Sequence, residues 1–290
     1  MDLLRFACAF FSGGLLFLSG SLIQGVSFNE ISGPSTLGLN AACVLAIVFV
    51  QGLFHIFGIE LSLEWSSLGI MFLVTILFYF GVYQSVGEGP VVGNGKEIEM
   101  KNILIFGLCF NLFVGAIFSV MQFFFINLNM EFPAGLWFGN FKFIPPYALF
   151  FMPGSFFVIY LISIKISKSL QIMSFGSGLA GGIGLPIKKV IAGSVALSLL
   201  CSAIVTCFFG VFAFLGILFP LLVRNFGSMK YDLRKEILYG PLIGGLIIAL
   251  LDLSCANYTA WGAEIPVGML SSLVGSILFM IVLVSRGKSL

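Results

Sequence analysis

Residues 187–210 read IKKVIAGSVALSLLCSAIVTCFFG, and after Lys189 no charged residue occurs until Arg224. An α-helix rises 1.5 Å per residue, so about 20 apolar residues cross the roughly 30 Å hydrocarbon core of a bilayer. A helix apolar on every face has no side to turn to water and is either buried or membrane-spanning. Working outward from this stretch, comparable apolar runs lie near 4–24, 38–57, 67–84, 102–127, 146–167, 212–225, 237–256 and 266–285. With 187–210 they predict an all-α, polytopic membrane helix bundle of about nine transmembrane helices. The 290 residues are 59% hydrophobic and 9% charged, with a mean hydropathy of +1.14. A soluble domain carries about 25% charged residues, so a soluble fold is excluded. No polar stretch is long enough for a second domain, and residues 1–290 are expected to form a single transmembrane domain. Glycines inside the runs (Gly13, Gly14, Gly20, Gly115, Gly193, Gly244, Gly245 and Gly275) suit lipid, where close packing replaces the hydrophobic drive between helices. The 34 phenylalanines read as lipid-facing and core bulk.

The placement of Lys and Arg sets orientation. Lys165, Lys168, Lys188 and Lys189 lie in one connection without an acid, and Arg224, Lys230, Arg234 and Lys235 lie in the next on that side. Lys96, Lys101, Arg286 and Lys288 fall on the same side if the helices alternate. The opposite side has Arg5 and Lys142, with Glu60, Glu64, Glu131 and Glu264. The basic side is read as cytoplasmic, which places the C-terminus inside and the N-terminus outside.

Several chemistries are excluded. Cys8, Cys43, Cys109, Cys201, Cys207 and Cys255 are scattered through apolar runs without a CxxC pair and read as small packing residues. One histidine, His55, cannot build a metal centre, and there is no HExxH. The Phe175-Gly176-Ser177-Gly178 run has no histidine near it and does not read as a nucleophile. No cofactor and no metal site are expected, nor any enzymatic activity. The chain holds no GxxxxGK[ST] phosphate loop, so any ATP hydrolysis belongs to another subunit. Ionisable residues inside the membrane mark function by default. Asp252, Glu264 and Arg224 do not assemble into a mid-membrane relay, so an outside energy source is expected.

Four groups of residues, in order, resemble the permease subunits of type II ABC importers for iron–siderophore complexes, haem and cobalamin. The first is Arg5, then Leu18-Ser19-Gly20-Ser21-Leu22-Ile23-Gln24, Asn29 and Leu37-Gly38. The second is Leu136-Trp137-Phe138-Gly139-Asn140, similar to that family's W-x-x-G-S. The third runs from Phe175-Gly176 through Ala180 to Ile183-Gly184-Leu185-Pro186. The fourth is Gly210, Phe214, Gly216, Pro220 and Arg224, followed by Glu264-Ile265-Pro266-Val267-Gly268. These last resemble G-x-x-x-F-x-G-x-x-x-P-x-x-x-R and E-x-P-x-G. The family has ten helices, and this chain begins at what resembles the second.

The resemblance implies an importer permease. It would work as a homodimer or heterodimer with a related permease, two cytoplasmic ABC ATPases and an extracytoplasmic substrate-binding protein, in the cell (inner or plasma) membrane. The cargo would be an iron chelate (siderophore, haem) or cobalamin. The alternatives are a degenerate permease homologue or a secondary transporter without ATPase coupling. Gly176, Ser177, Ala180, Gly184, Leu185 and Pro186 would form the ATPase-coupling loop. Gly216, Pro220, Arg224, Glu264, Pro266 and Gly268 are pore or gating candidates, with Gly216 and Pro220 expected to interrupt a short helix as either hinge or plain kink. Glu264-Ile265-Pro266 reads as a helix start, either a cap or a gate. The chain departs from the family with Ser177 where an acid is usual, with Leu221 for His, and without the Arg expected after Asp252. Only Arg5 remains for charged docking of a binding protein.

Overall fold

The computed structural model describes residues 3–57, 63–85, 95–127, 138–226, 232–257, 259–260 and 263–287. Glu60, Glu131, Leu136, Trp137, Lys230 and Lys288, named above, lie outside the described residues. The chain forms α1 (Leu3–Ser27), α2 (Leu39–Phe57), α3 (Leu63–Ser85), α4 (Gly95–Asn127), α5 (Ala148–Ser174), α6 (Ser177–Gly182), α7 (Ile187–Phe209), α8 (Leu215–Phe226), α9 (Leu233–Asn257) and α10 (Val267–Gly287). All but the short α6 coincide with the nine expected apolar runs. Six of them (α1, α3, α4, α5, α7 and α9) are long and apolar enough to cross a membrane. The sole sheet among the described residues is a hairpin of two-residue strands, β1 (Thr259–Ala260) and β2 (Ala263–Glu264), pairing Thr259 with Glu264 between α9 and α10.

Two helices overrun their expected ends. The first, α4, begins at Gly95 rather than 102, and α5 continues to Ser174 rather than 167. The bilayer boundary does not stop a helix: Lys165 and Lys168 are good helix formers, and the backbone bonds continue into the aqueous layer. The opposite deviation occurs at α8, which starts at Leu215 instead of 212. At 12 residues it is about 18 Å long, too short to span alone.

The centre of the bundle is α1. Of its apolar window 78% is buried, as for α7, against 11% for α4. Four elements pack directly on α1: α5, α7, α8 and α9. The most extensive packing of α1 is on α9, where a Cβ added at Gly13 would lie 2.5 Å from the Gly244 carbonyl oxygen and 2.8 Å from the Gly245 Cα. Backbone meets backbone there, so only glycine fits. This is the small-residue packing expected in lipid, where van der Waals contact supplies the association energy. The α1–α7 contact is fastened by a serine exchange. Ser19 Oγ donates to the Ser198 carbonyl at 2.9 Å and Ser198 Oγ donates to the Ser19 carbonyl at 2.7 Å. A further link, Ser202 Oγ to Asn40 Oδ1 at 2.9 Å, ties α7 to α2.

Candidate functional site

Between α5 and α7 the chain makes a compact knuckle. The last turn of α5 closes with Gly176 N–H bonded to the Met173 carbonyl, 3.1 Å. Gly176 then takes φ +139°, and Gly184, two residues past α6, takes φ +80°. Both lie in the left-handed region that favours glycine. Between them Ala180 is fully buried, while Phe175, Leu179 and Ile183 are 72%, 63% and 73% exposed. Leu185 N–H returns to the Ala180 carbonyl at 3.0 Å, and Pro186 sits at the N-cap of α7. The expected coupling residues Gly176, Ser177, Ala180, Gly184, Leu185 and Pro186 are thus one structural unit. Its outward face is apolar, and Lys188 and Lys189 begin the next helix. A Cβ at Gly184 meets nothing within 4 Å, so this glycine is required by backbone conformation and not by space.

The expected break at Gly216 and Pro220 is corrected. α8 runs continuously from Leu215 to Phe226 with Pro220 inside it. The interruption lies earlier, where Gly210 (φ +85°) ends α7 and Phe214 takes φ +64°. The cause is long-range backbone pairing. Gly139 N–H bonds the Val211 carbonyl and Asn140 N–H the Phe209 carbonyl, both at 2.9 Å. Gly268 N–H bonds the Gly139 carbonyl at 2.7 Å. Residues 209–211 therefore serve a strap from 139–140 and cannot continue a helix. Phe141 packs its ring on Phe209 and Phe212 beneath the strap. A Cβ on Gly268 would collide with the Gly139 backbone. Two separate sequence motifs, the one ending Gly139-Asn140 and the one ending Pro266-Val267-Gly268, are joined here. Pro266 stands just before α10, with its carbonyl accepting from Met269 at 3.1 Å, a helix start as read from sequence. Glu264 ends the small hairpin. Pro220 cannot donate the N–H that would bond the Gly216 carbonyl. Gly20 of α1 packs directly on that carbonyl, with Pro34 on its other flank.

Arg224 is committed to a buried polar cluster. Its Nε donates to Glu236 Oε2 at 2.6 Å, Nη2 to Glu236 Oε1 at 2.8 Å, and Nη1 to Gln24 Oε1 at 2.8 Å. Ser21 Oγ also donates to Glu236 Oε1, and Gln24 Nε2 donates to the Ile217 carbonyl at 3.1 Å. Glu236 is fully buried. Every member is satisfied, which is the condition under which a buried network specifies one packing. The cluster binds the basic-side ends of α1, α8 and α9. Glu236 and Ser21 were not anticipated. The signal available was one acid in the first turn of an apolar run, twelve residues after a lone Arg.

At the opposite end, Arg5 donates from Nε to Asp252 Oδ2 at 2.8 Å and from Nη2 to Asp252 Oδ1 at 2.9 Å. Asp252 is fully buried and Arg5 is 17% exposed. The expected docking cation is therefore engaged inside the subunit, bracing α1 against α9. Among the described residues no group of His, Cys, Asp and Glu could hold a metal ion.

The fold is a bundle with six helices long and apolar enough to cross a membrane, and it carries an apolar knuckle on its basic side. The profile of the FecCD transport family matches residues 1–285, and the chain belongs to that family. It is similar to the iron(3+)-hydroxamate import system permease protein FhuG of Bacillus subtilis (strain 168), 26% identical over 287 residues, 93% of this chain and 78% of that protein. It is also 26% identical over 284 residues to the iron(3+)-hydroxamate import system permease protein FhuB of Salmonella typhimurium, covering 95% of this chain but 38% of that longer protein. Among solved structures, a metal-chelate type ABC transporter in an inward-facing conformation superposes with a TM-score of 0.78 at 20% identity, over 97% of this chain and 86% of that one. The resemblance read from four motifs is thereby borne out at the level of family and fold.

Proposed function

We propose that the chain is the single-domain, membrane-spanning permease subunit of an ATP-binding-cassette importer. Its cargo is an iron chelate (a siderophore or haem complex) or cobalamin, and it is not itself an enzyme. The observation that carries the coupling to an ATPase is the α5–α6–α7 knuckle. A six-residue helix held between two left-handed glycines exposes Leu179, and the residues flanking it, Phe175 and Ile183, are exposed on the same basic side. Exposed apolar surface of this kind marks a contact with another protein. Two ATPases would seat there, one per permease of a homodimer or a heterodimer. The basic side is cytoplasmic by the Lys and Arg distribution, and α10 ends there, so the C-terminus is cytoplasmic and the membrane is the inner or plasma membrane. The strap that joins 139–140, 209–211 and 268 lies on the opposite side, where an extracytoplasmic binding protein would approach. Arg5 offers it only the exposed edge of an ion-paired guanidinium, so docking by charge is weak.

The test is co-expression with the cognate ATPase and purification in mild detergent. A stable complex with two ATPases per permease pair is expected. Leu179→Asp and Ile183→Asp should abolish ATPase co-purification while the permease still elutes as a folded species. An ATPase complex untouched by both substitutions would refute the knuckle as the coupling element.

A further inference from the structure

Between the basic-side ends of α5 and α9 lies a cavity of about 270 Å³ lined by Ile164, Ser167, Lys168, Asp232, Arg234, Lys235 and Leu238. Its charge is unbalanced. Three cations face one carboxylate, and that carboxylate is already in use. Asp232 Oδ1 accepts the Lys235 N–H at 3.1 Å, capping α9, and its Oδ2 lies 3.3 Å from Lys235 Nζ. The other nearby acid, Glu236, is buried in its pair with Arg224. Lys168 and Arg234 are exposed, and among the described residues neither has an ion-pair partner. The first backbone donors of α9 are also spent, since Leu233 N–H bonds Gln171 Oε1 at 2.7 Å and Glu236 N–H bonds the Asp232 carbonyl at 3.0 Å. The attraction for an anion therefore comes from the side chains.

Toward the membrane centre the same seam turns apolar. Leu238, Tyr239, Leu242 and Leu246 on α9 and Leu161, Phe157 and Val158 on α5 are exposed, and Tyr160 Oη donates to the Leu238 carbonyl at 2.7 Å across it. Basic residues at headgroup depth above an apolar track match one molecule in particular. We propose that this groove holds an anionic phospholipid of the leaflet on the basic side, its phosphate between Lys168 and Arg234 and an acyl chain along the α5–α9 seam. Basic pockets between transmembrane helices on that side are the arrangement that binds anionic headgroups. Such a lipid would occupy the flank of α5 two turns before the α6 knuckle. The assignment of the leaflet rests on the sidedness given under the proposed function; the binding itself does not.

The experiment is native mass spectrometry of the delipidated full-length chain, titrated with palmitoyl-oleoyl phosphatidylglycerol and, separately, with the phosphatidylethanolamine of the same chains. The wild-type chain should take up one phosphatidylglycerol in clear preference to phosphatidylethanolamine. Each cation near an anionic headgroup contributes on the order of a five-fold gain, so Lys168→Gln/Arg234→Gln should weaken that binding about thirty-fold. Lys188→Gln/Lys189→Gln, which removes as much charge from the same side outside the groove, should leave it unchanged. Equal loss in both variants would mean a diffuse surface charge and overturns the proposal. No preference over phosphatidylethanolamine also overturns it, as does displacement of the lipid by millimolar inorganic phosphate. Lys168→Gln alone, on an exposed face of α5, keeps the test decisive if the double variant fails to fold. Because no ATPase is present, loss of the coupling reading would leave this result standing.

Discussion

Arg224→Met isolates the strongest electrostatic commitment in the fold. The substitution keeps most of the side-chain length and removes the charge. Glu236, fully buried, then loses two charge-assisted bonds of 2.6 and 2.8 Å and retains only the Ser21 hydroxyl. Gln24 Oε1 loses its donor as well. Removing one member of a buried pair costs about 3–5 kcal/mol, because the remaining charge stays desolvated. Against a total stability of about 5–15 kcal/mol that is a severe loss. Arg224→Met/Glu236→Met removes both charges and should recover most of it, since an apolar replacement of a buried pair is often neutral or better. The two sites touch, so the cycle should be strongly non-additive. An internal control is available. Lys235 and Asp232 pair at 3.3 Å, but their side chains are 61% and 34% exposed, so Lys235→Gln should change stability by less than about 1 kcal/mol. Reversible unfolding in mixed micelles, followed by circular dichroism, reads these three variants and Glu236→Met, the second single of the cycle. If Arg224→Met costs less than about 1 kcal/mol, or if the two single losses simply add, the cluster is not a fully desolvated network and the reasoning fails.

Three further outcomes follow from neighbouring features. Gly13→Leu should abolish the folded, monodisperse species on fluorescence-detected gel filtration, because its Cβ already falls 2.5 Å from the Gly244 carbonyl and neither backbone can give; overpacking costs about 1–3 kcal/mol even where side chains can move. Gly184→Ala should cost about 1–2 kcal/mol through its positive φ alone, with no clash, so the ATPase complex should still form but with a lower melting temperature. The Asp232 carboxyl, held below its ordinary value chiefly by the backbone N–H of Lys235 that it caps, is ionised more readily folded than unfolded. Its contribution is therefore complete above the unfolded value of about 3.9 and is lost as pH falls through the lowered folded value; thermal melts between pH 7 and pH 3 should be flatter at the acid end in Asp232→Asn.

Helix existence was legible because in lipid every backbone group must be satisfied within the segment, and a run of apolar residues has little alternative. The same constraint explains why α4 and α5 overran their expected limits: nothing at Lys101 or Lys168 breaks a helix once it leaves the hydrocarbon. The late start of α8 was not legible. It depends on Gly139 and Asn140 pairing with a carbonyl pair some seventy residues on, a contact that no local pattern encodes. Pro220 looked like the point of interruption because proline usually is one. In the fold its missing N–H falls where Gly20 of α1 packs against the freed Gly216 carbonyl. Arg5 looked available because Asp252 sits 247 residues away in sequence, and the bundle brings them together through the α1–α9 crossing.

These contacts make α1 the member through which the others are fixed. Its N-terminal end is braced to α9 by Arg5 and Asp252, its middle is locked to α9 by glycine and to α7 by Ser19 and Ser198, and its basic-side end joins α8 and α9 through Gln24, Arg224 and Glu236. The knuckle hangs between α5 and α7, and both of those helices pack directly on α1. If an ATPase moves α6, the displacement reaches α1 after a single helix–helix contact. α1 is held by an ion pair at its Arg5 end and by the hydrogen bonds of Ser21 and Gln24 at the other, which ties α1, α8 and α9 together. The strap joins 139–140, 209–211 and 268 by backbone bonds, with Phe141 packed on Phe209 and Phe212 beneath it. Gly210 and Phe214, both at positive φ, set the short α8 off from α7; on the proposed function, this is the break that an importer opening on the strap side would use.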